Sequence, residues 1–386
     1  MPEPRAAPAL PDRTALTARL KAAARRLGFH LVGVTDCAPA ETYAAYTAWL
    51  DEGRHAGMAY MARERNRERR ADPRRILPEC RSILVLGIRY FRQSALPPPE
   101  KGQGRVASYA WGADYHDIVV EKLRALVAFL EGEIGAPVPN RYYTDTGPVL
   151  EREYAVRAGL GWVGKNAMLI HPRLGSYLIL AEVLLGVPLE PDLPFPTDHC
   201  GTCTRCIEAC PTQAILPTRT VDANRCLSYL TIENKGAIPT ALRPPMGEWV
   251  FGCDICQMVC PWNRRAPLEG DPAFAPRPEV PRPRLAAEMR LSPQAFNRKF
   301  KGSPLKRAKR RGYLRNVAVA LGNMGDPAAV PALVEALHDP DPPVRAHAAW
   351  ALGRLATPEA CRALEAALDA ETDPEVRAEL RAARCR

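Results

Sequence analysis

The sequence has no apolar run long enough to span a bilayer, which excludes an integral helical membrane protein. It also lacks the apolar h-region and cleavage site of a secretory signal. The first thirty residues begin polar and proline-rich and run into ALTARLKAAARRLGF, the pattern of an amphipathic helix. A cytoplasmic chain with no membrane partner is expected. There is no P-loop and no HExxH, so Walker-type nucleotide chemistry and zincin chemistry fall away. With 47% hydrophobic and 25% charged residues, it has neither the apolar excess of a membrane protein nor the polarity of a disordered one.

A length of 386 residues exceeds one ordinary core and implies two or three domains. Lys and Arg number 53 against 43 Asp and Glu, a net charge of +10. That excess favours a polyanionic partner, although the compositional bias of a GC-rich genome would give the same sign. Twelve cysteines in a cytosolic chain do not read as a disulfide framework, because thiols stay reduced there; clustered cysteines are metal ligands or redox centres.

Up to about residue 190, helical patterns alternate with the short apolar runs SILVLGIRYF (82 to 91) and SYLILAEVLL (176 to 185), which read as buried strands of an α/β or α+β body. Two proline-dense stretches, VPLEPDLPFP and RAPLEGDPAFAPRPEVPRPR, are extended linkers that bracket the cysteine-rich segment. From Leu314 the chain repeats with a period of about thirty residues. Each unit is two amphipathic helices broken by Asp-Pro or Thr-Pro, as in HEAT-like repeats that bury their apolar faces on one another. An ordinary helical hairpin bundle would leave a similar pattern, and either arrangement is a docking surface rather than a reaction centre.

Cys200-x2-Cys203-x2-Cys206-x3-Cys210-Pro211 has the spacing by which bacterial ferredoxins hold a [4Fe–4S] cluster. Three thiolates wrap one cubane from a single loop, and the fourth points to another cluster. A second run, Cys253-x2-Cys256-x3-Cys260-Pro261, lacks its first cysteine, which the lone Cys226 can replace. The crossing rule assigns Cys200, Cys203, Cys206 and Cys260 to one cluster and Cys210, Cys226, Cys253 and Cys256 to the other. Paired zinc sites would also use Cys-x2-Cys; the third cysteine at the same spacing and both Cys-Pro endings oppose them. Cys37, Cys80, Cys361 and Cys385 have no such spacing and read as ordinary thiols.

Two cubanes relay electrons but offer no site to transform an organic substrate, and the 190 upstream residues are more than an electron carrier needs. Gly159, Gly161 and Gly164 match a dinucleotide fingerprint by letter, but the preceding LEREYAVRAG is helical in character where that motif needs a strand. These glycines read instead as a helix C-cap and a turn leading into Lys165 and Asn166.

Tyr143-Thr-Asp145-Thr-Gly-Pro-Val-Leu-Glu-Arg152, GLGWVGKN (159 to 166), the double cluster motif and RCLSYLTIENKG (225 to 236) occur in order across residues 60 to 262. In these motifs the chain resembles the epoxyqueuosine reductases. That family is similar to the corrinoid reductive dehalogenases in pairing a cobalamin with two [4Fe–4S] clusters. It reduces epoxyqueuosine to queuosine at the wobble position of tRNA, the last step of queuosine biosynthesis, and some members carry helical repeats.

The resemblance implies an α+β fold in four parts: an α/β cobalamin-binding catalytic domain (1 to 190), a ferredoxin-like double-cluster domain (191 to 262, its segment 225 to 250 touching the cofactor), a proline-rich linker and basic segment (263 to 312), and HEAT-like repeats (313 to 386). It implies Asp145 as proton donor beside the epoxide, an acid that burial would keep partly neutral. It implies cobalamin contacts at Arg70, Asp145, Lys165, Asn166, Ser228 and Asp254. Some relatives place a cysteine near the cobalt around Ser108 to Trp111; this chain has none there.

Basic residues gather between Phe296 and Tyr313, where Arg298, Lys299, Lys301, Lys306, Arg307, Lys309, Arg310 and Arg311 interleave with aromatics. Such a stripe neutralises phosphates and can stack on exposed bases, so RNA contact is expected, with a tRNA anticodon stem-loop as partner. A second run, Arg63, Arg65, Arg67, Arg69 and Arg70, reads as a solvated face paired internally with Glu64 and Glu68. The chain is expected to be a monomer fed by an external electron donor. Competing readings are a corrinoid reductase of a small halogenated or epoxidised molecule, which needs no RNA affinity, and a ferredoxin-like carrier, which needs no cobalamin.

Overall fold

The computed structural model describes residues 12–92 and 100–384. Strands Leu31–Thr35, Ser82–Arg89, Leu178–Leu185 and Asn140–Tyr143 form one sheet in that order, every neighbouring pair antiparallel. Antiparallel pairing makes the body α+β rather than a parallel α/β layer.

Strand alternation builds two layers. Ser82–Arg89 sends Leu84, Leu86 and Ile88 to one face and Ile83 and Val85 to the other. Helices Arg13–Arg26 and Tyr115–Ile134 cover the first face through Leu16, Leu20, Val119, Leu123, Leu126 and Leu130. The short helix Glu151–Arg157 covers the second through Tyr154 and Ala155. There the carbonyl of Ala158 comes so close to Gly33 that an added Cβ would lie 2.1 Å from it. In Leu178–Leu185 the residues Ile179, Ala181, Val183 and Leu185 join the first layer. By parity Glu182 stands with Leu178 and Leu184 on the second, a carboxyl in a core position with no exposure.

The residues before Gly159 are a helix, and Gly159 follows its end with φ +76°, so the dinucleotide fingerprint has no strand to stand on. The chain then enters a hairpin, Trp162–Val163 with Leu169–Ile170, that carries Lys165 and Asn166 at its turn. The proline-rich stretch after Trp262 is irregular apart from the turn Pro272–Phe274, and it is tied to the sheet by Arg89, which donates to the carbonyls of Leu174 and Pro267.

The tail consists of helices Lys309–Met324, Val330–Ala336, Pro342–Leu355, Pro358–Ala370 and Pro374–Ala382. The Asp-Pro and Thr-Pro signals are helix starts: Thr357 caps Ala360 N–H, and Asp373 caps Glu375 and Val376 N–H, each with proline just inside. The first helix is buried without a break from Gly312 to Gly322. A helix apolar all round needs neighbours on every side. It packs on Pro342–Leu355, on strand Trp249–Phe251 and on helix Leu227–Ile232, within one core that joins tail and centre. Arg315, 1% exposed, donates to the carbonyls of Leu230, Asn234 and Gly236, and Asn316 donates to those of Thr231 and Val250.

Among the described residues no helix is long and apolar enough to cross a membrane. Cys37 donates to the Cys80 carbonyl at 2.8 Å, and both thiols are free. Cys361 is disulfide-bonded, where an ordinary thiol was expected; Cys385 lies outside the described residues.

Candidate active site

The cysteine loops fold around what they hold. Short helices Arg205–Glu208 and Ile255–Met258 follow the first cysteines of each run, and Cys226 and Cys260 stand at the N-caps of Leu227–Ile232 and Pro261–Arg264. Backbone N–H groups there point at sulfur: those of Tyr229 and Ser228 at Cys226, and that of Ala214 at Cys210 (3.2 Å). Such amides favour thiolate over thiol. Cys200, Cys203, Cys206 and Cys260 line one cavity of about 210 Å³. Cys210, Cys226, Cys253 and Cys256 form a deeper group whose sulfurs feel one another's charge. Among the described residues no three His, Cys, Asp or Glu side chains close on a single ion. The donor set, four soft sulfurs around each space, fits an iron–sulfur cubane.

Asp145 sits in the loop between strand Asn140–Tyr143 and helix Glu151–Arg157, with φ +58°. A left-handed backbone in a non-glycine residue needs support from its surroundings. Here the Asp145 N–H donates to Glu151 Oε1 at 2.8 Å, and Thr144 Oγ1 donates to the Leu180 carbonyl. The Tyr115 hydroxyl donates to Asp145 Oδ2 at 2.7 Å. Burial, then the Asp145 charge, pushes the Tyr115 phenol up, so it remains a donor at neutral pH. Asp145 itself is exposed, which corrects the expectation of a buried aspartate. Its charge reaches Tyr60, Tyr109, Glu151 and Arg307. Tyr60, Tyr109, Tyr115, Glu151 and Glu182 were not singled out from sequence. The one available signal was a lone carboxyl in the otherwise uncharged run SYLILAEVLL.

Other expected cofactor contacts divide. Arg70 is 8% exposed, lies over the Tyr46 ring, and has no partner for Nη1. Ser228 is half-buried one residue past the cap Cys226. Lys165 is committed elsewhere: its ammonium donates to the carbonyls of Gly201 (2.7 Å) and Cys203 (3.0 Å), and it lines the first cluster cavity beside buried Asn166. Lys165 and Asn166 thus stand at the cluster loop. Buried Asp254 accepts both the N–H (2.6 Å) and the hydroxyl (2.7 Å) of Ser108, and so braces the cluster helix against residues 105 to 111.

The basic stripe is only partly free. Lys299 pairs with Glu288, Arg307 with Glu233, and Arg310 with Asp339 and Asp341. Arg298, Lys301, Lys306, Lys309 and Arg311 are exposed and make no ion pair among the described residues. The interleaved aromatics do not stack on bases: Phe296, Phe300 and Tyr313 are buried against one another. Among the described residues, helix Glu64–Ala71 does not make the expected pairs to Glu64 and Glu68.

Two groups of four thiols and a carboxylate held by Tyr115 and Glu151 define an iron–sulfur oxidoreductase. Known proteins narrow this class. Residues 199–263 match the 4Fe-4S double cluster binding domain, residues 70–146 match the family described as epoxyqueuosine reductase QueG, DUF1730, and residues 305–384 match HEAT repeats. The epoxyqueuosine reductase of Xanthomonas campestris pv. campestris is 40% identical over 351 residues, 90% of this chain and 98% of that protein. That of Escherichia coli K12 is 37% identical over 348 residues, 89% of this chain and 90% of that one. A crystal structure of epoxyqueuosine reductase with an epoxyqueuosine-modified tyrosine-tRNA stem loop superposes with a TM-score of 0.90 at 33% identity, over 96% of this chain and 98% of that one. A Bacillus subtilis epoxyqueuosine reductase, with its catalytic aspartate loop swung out of the active site, gives 0.88 at 33% identity over the same shares. The chain belongs to the epoxyqueuosine reductase family.

Proposed function

We propose that this chain reduces epoxyqueuosine to queuosine at the wobble position of a tRNA, as a cytoplasmic monomer supplied by an external electron donor. The observation that carries the reading is Asp145, held in a left-handed turn with a phenol on its carboxylate, near Tyr60, which also feels the charge of Glu233. The tRNA-bound relative and the swung-out aspartate loop of another support it.

Cobalamin is the second cofactor of this reading. Its amides and phosphate are hydrogen-bonding groups, and the orphaned Nη1 of buried Arg70 is a donor awaiting such a partner. Arg70 and Ser228 would hold it, and when bound it supplies a strongly reducing metal centre at the epoxide. Cys200, Cys203, Cys206 and Cys260 hold one [4Fe–4S] cluster; Cys210, Cys226, Cys253 and Cys256 hold the other and stand nearer Asp254. Removing the epoxide oxygen as water takes two electrons and two protons. Asp145 protonates the departing oxygen, Tyr115 fixes the carboxylate by its hydrogen bond, and Glu151 fixes the loop through the Asp145 N–H. An anticodon base is already unpaired, so bringing it to the pocket costs less than opening a duplex.

The test is Asp145→Asn in protein loaded anaerobically with iron, sulfide and cobalamin. Iron content and the cobalamin spectrum should be unchanged, while conversion of the tRNA nucleoside falls at least roughly 100-fold. Undiminished conversion would take the acid out of the mechanism, and cobalamin uptake without tRNA binding would favour a small-molecule substrate.

A further inference from the structure

The second sheet layer contains a carboxyl pair that the roles above leave unexplained. Glu182 is fully buried on strand Leu178–Leu185, between Val85 on one side and Tyr143 on the other, two residues before Asp145. Among the described residues no N–H or O–H donor reaches either of its carboxyl oxygens. Its polar neighbour is the carboxyl of Glu151, the first residue of the helix after the Asp145 loop. Glu151 in turn accepts from the Asp145 N–H. One glutamate thus lies under the start of the loop and the other at its end.

Two touching carboxyls, one of them fully buried, favour a shared proton over double ionisation. We propose that Glu151 and Glu182 hold one proton between them and return it to Asp145 after Asp145 has protonated the departing oxygen. This rests on the reading of Asp145 as the acid. The transfer moves one proton from the pair to the Asp145 carboxylate and moves no electrons. Both glutamates are then ionised until solvent refills the pair, and their repulsion draws that proton in. The proton Asp145 delivers and the one the pair returns to it together make the two that the reduction consumes.

Asp145, Arg152 and Tyr143 are the charged or titratable groups facing the pair. Burial, then the Asp145 charge, pushes Glu151 up to about 7; burial, then Glu151, pushes Glu182 up. The proton is therefore present at neutral pH and leaves above it.

Infrared spectroscopy of the cluster-loaded chain without tRNA at pH 6 to 9 tests the pair directly. A protonated-carboxyl band should be present near neutral pH, fade as pH rises, vanish in Glu182→Gln and persist in Asp145→Asn. In the loaded enzyme Glu182→Gln should slow single-turnover reduction roughly 10- to 100-fold and flatten the fall in rate above about pH 7. Absence of the band in wild type overturns the shared proton; an unchanged rate and pH profile in the variant overturns the relay. Glu151→Gln, which keeps an acceptor for the Asp145 N–H, carries the same readouts if Glu182→Gln fails to fold. Turnover of Asp145→Asn separately decides the role of the acid.

Discussion

The cysteine loops and the helical tail are built on opposite principles. Around the first cluster cavity the buried apolar residues are Trp162, Ile170 and Cys260, with little else to exclude water. The tail helix Lys309–Met324 buries an unbroken stretch and shares one core with strand Trp249–Phe251. The loops are ordered by the bonds their sulfurs make, and the tail by the area it removes from water. A region of the first kind loses its fold with its ligand, whereas one of the second kind keeps it.

The largest expected effect follows. Stripping iron with a chelator under oxidising conditions should release residues 199 to 215 to rapid amide exchange and proteolysis, while the amides of Gly312 to Gly322 stay protected. Equal exchange in both regions would erase the distinction. Because the tail also supports helix Leu227–Ile232, partial loosening of Cys226 is expected between these extremes.

The converse experiment asks whether the tail reaches the site. Arg315 has no carboxylate partner; the carbonyls of Leu230, Asn234 and Gly236 and the Asn316 side chain take its donors, and burial lowers it to about 10. Arg315→Met would leave those carbonyls dry and unpaired, a loss of about 2 to 4 kcal/mol in denaturant unfolding. Retention of the Cys226 cluster should fall with it. Wild-type stability and iron content in this variant would mean that the tail is only attached to the site.

The same contrast explains what was legible. Thiol spacing is local chemistry, so the eight thiols could be grouped before any fold was known. The helical period and the Asp-Pro starts gave the repeats. What could not be read was contact between distant segments. Lys165 stands in a turn that looks like a cofactor motif, yet its ammonium meets carbonyls 36 and 38 positions away. Phe296 and Phe300 looked like base-stacking aromatics among lysines, but their spacing of four is also that of one buried helix face. Glu182 sat in a run read only for its strand character, and its meaning depends on Glu151 approaching across the layer.

A smaller effect lies in the pH dependence of the tail's docking. His347, fully buried, accepts from the Ile238 N–H at 3.1 Å and donates through Nδ1 to the Pro343 carbonyl at 2.7 Å. Burial, then the nearby Arg243 and Arg315, holds its pKa well below 6.5. The unfolded imidazole therefore binds protons more readily than the folded one. The stability His347 contributes is complete above about pH 6.5 and declines as pH falls, by at most about 1.4 kcal/mol per unit. Melting between pH 7.5 and 5.5 should show the decline, and His347→Gln should flatten it; an identical decline in that variant would assign it to other groups.

The smallest effect concerns the rim, where exposed charges contribute little to folding but, under the proposed function, meet RNA. Arg298, Lys301, Lys306, Lys309 and Arg311 have no carboxylate to give up, whereas Arg307 and Arg310 would have to leave theirs before meeting a phosphate. Lys306→Ser should leave melting within about 0.5 kcal/mol. It should reduce the slope of log tRNA affinity against log salt by about 0.7 to 0.9, the signature of one lost phosphate contact. Arg310→Ser should do the reverse, lowering stability through its buried pairs with Asp339 and Asp341 while changing the salt slope less. If the two variants exchange these behaviours, ion pairing within the free protein is no guide to which cations of the stripe face the RNA.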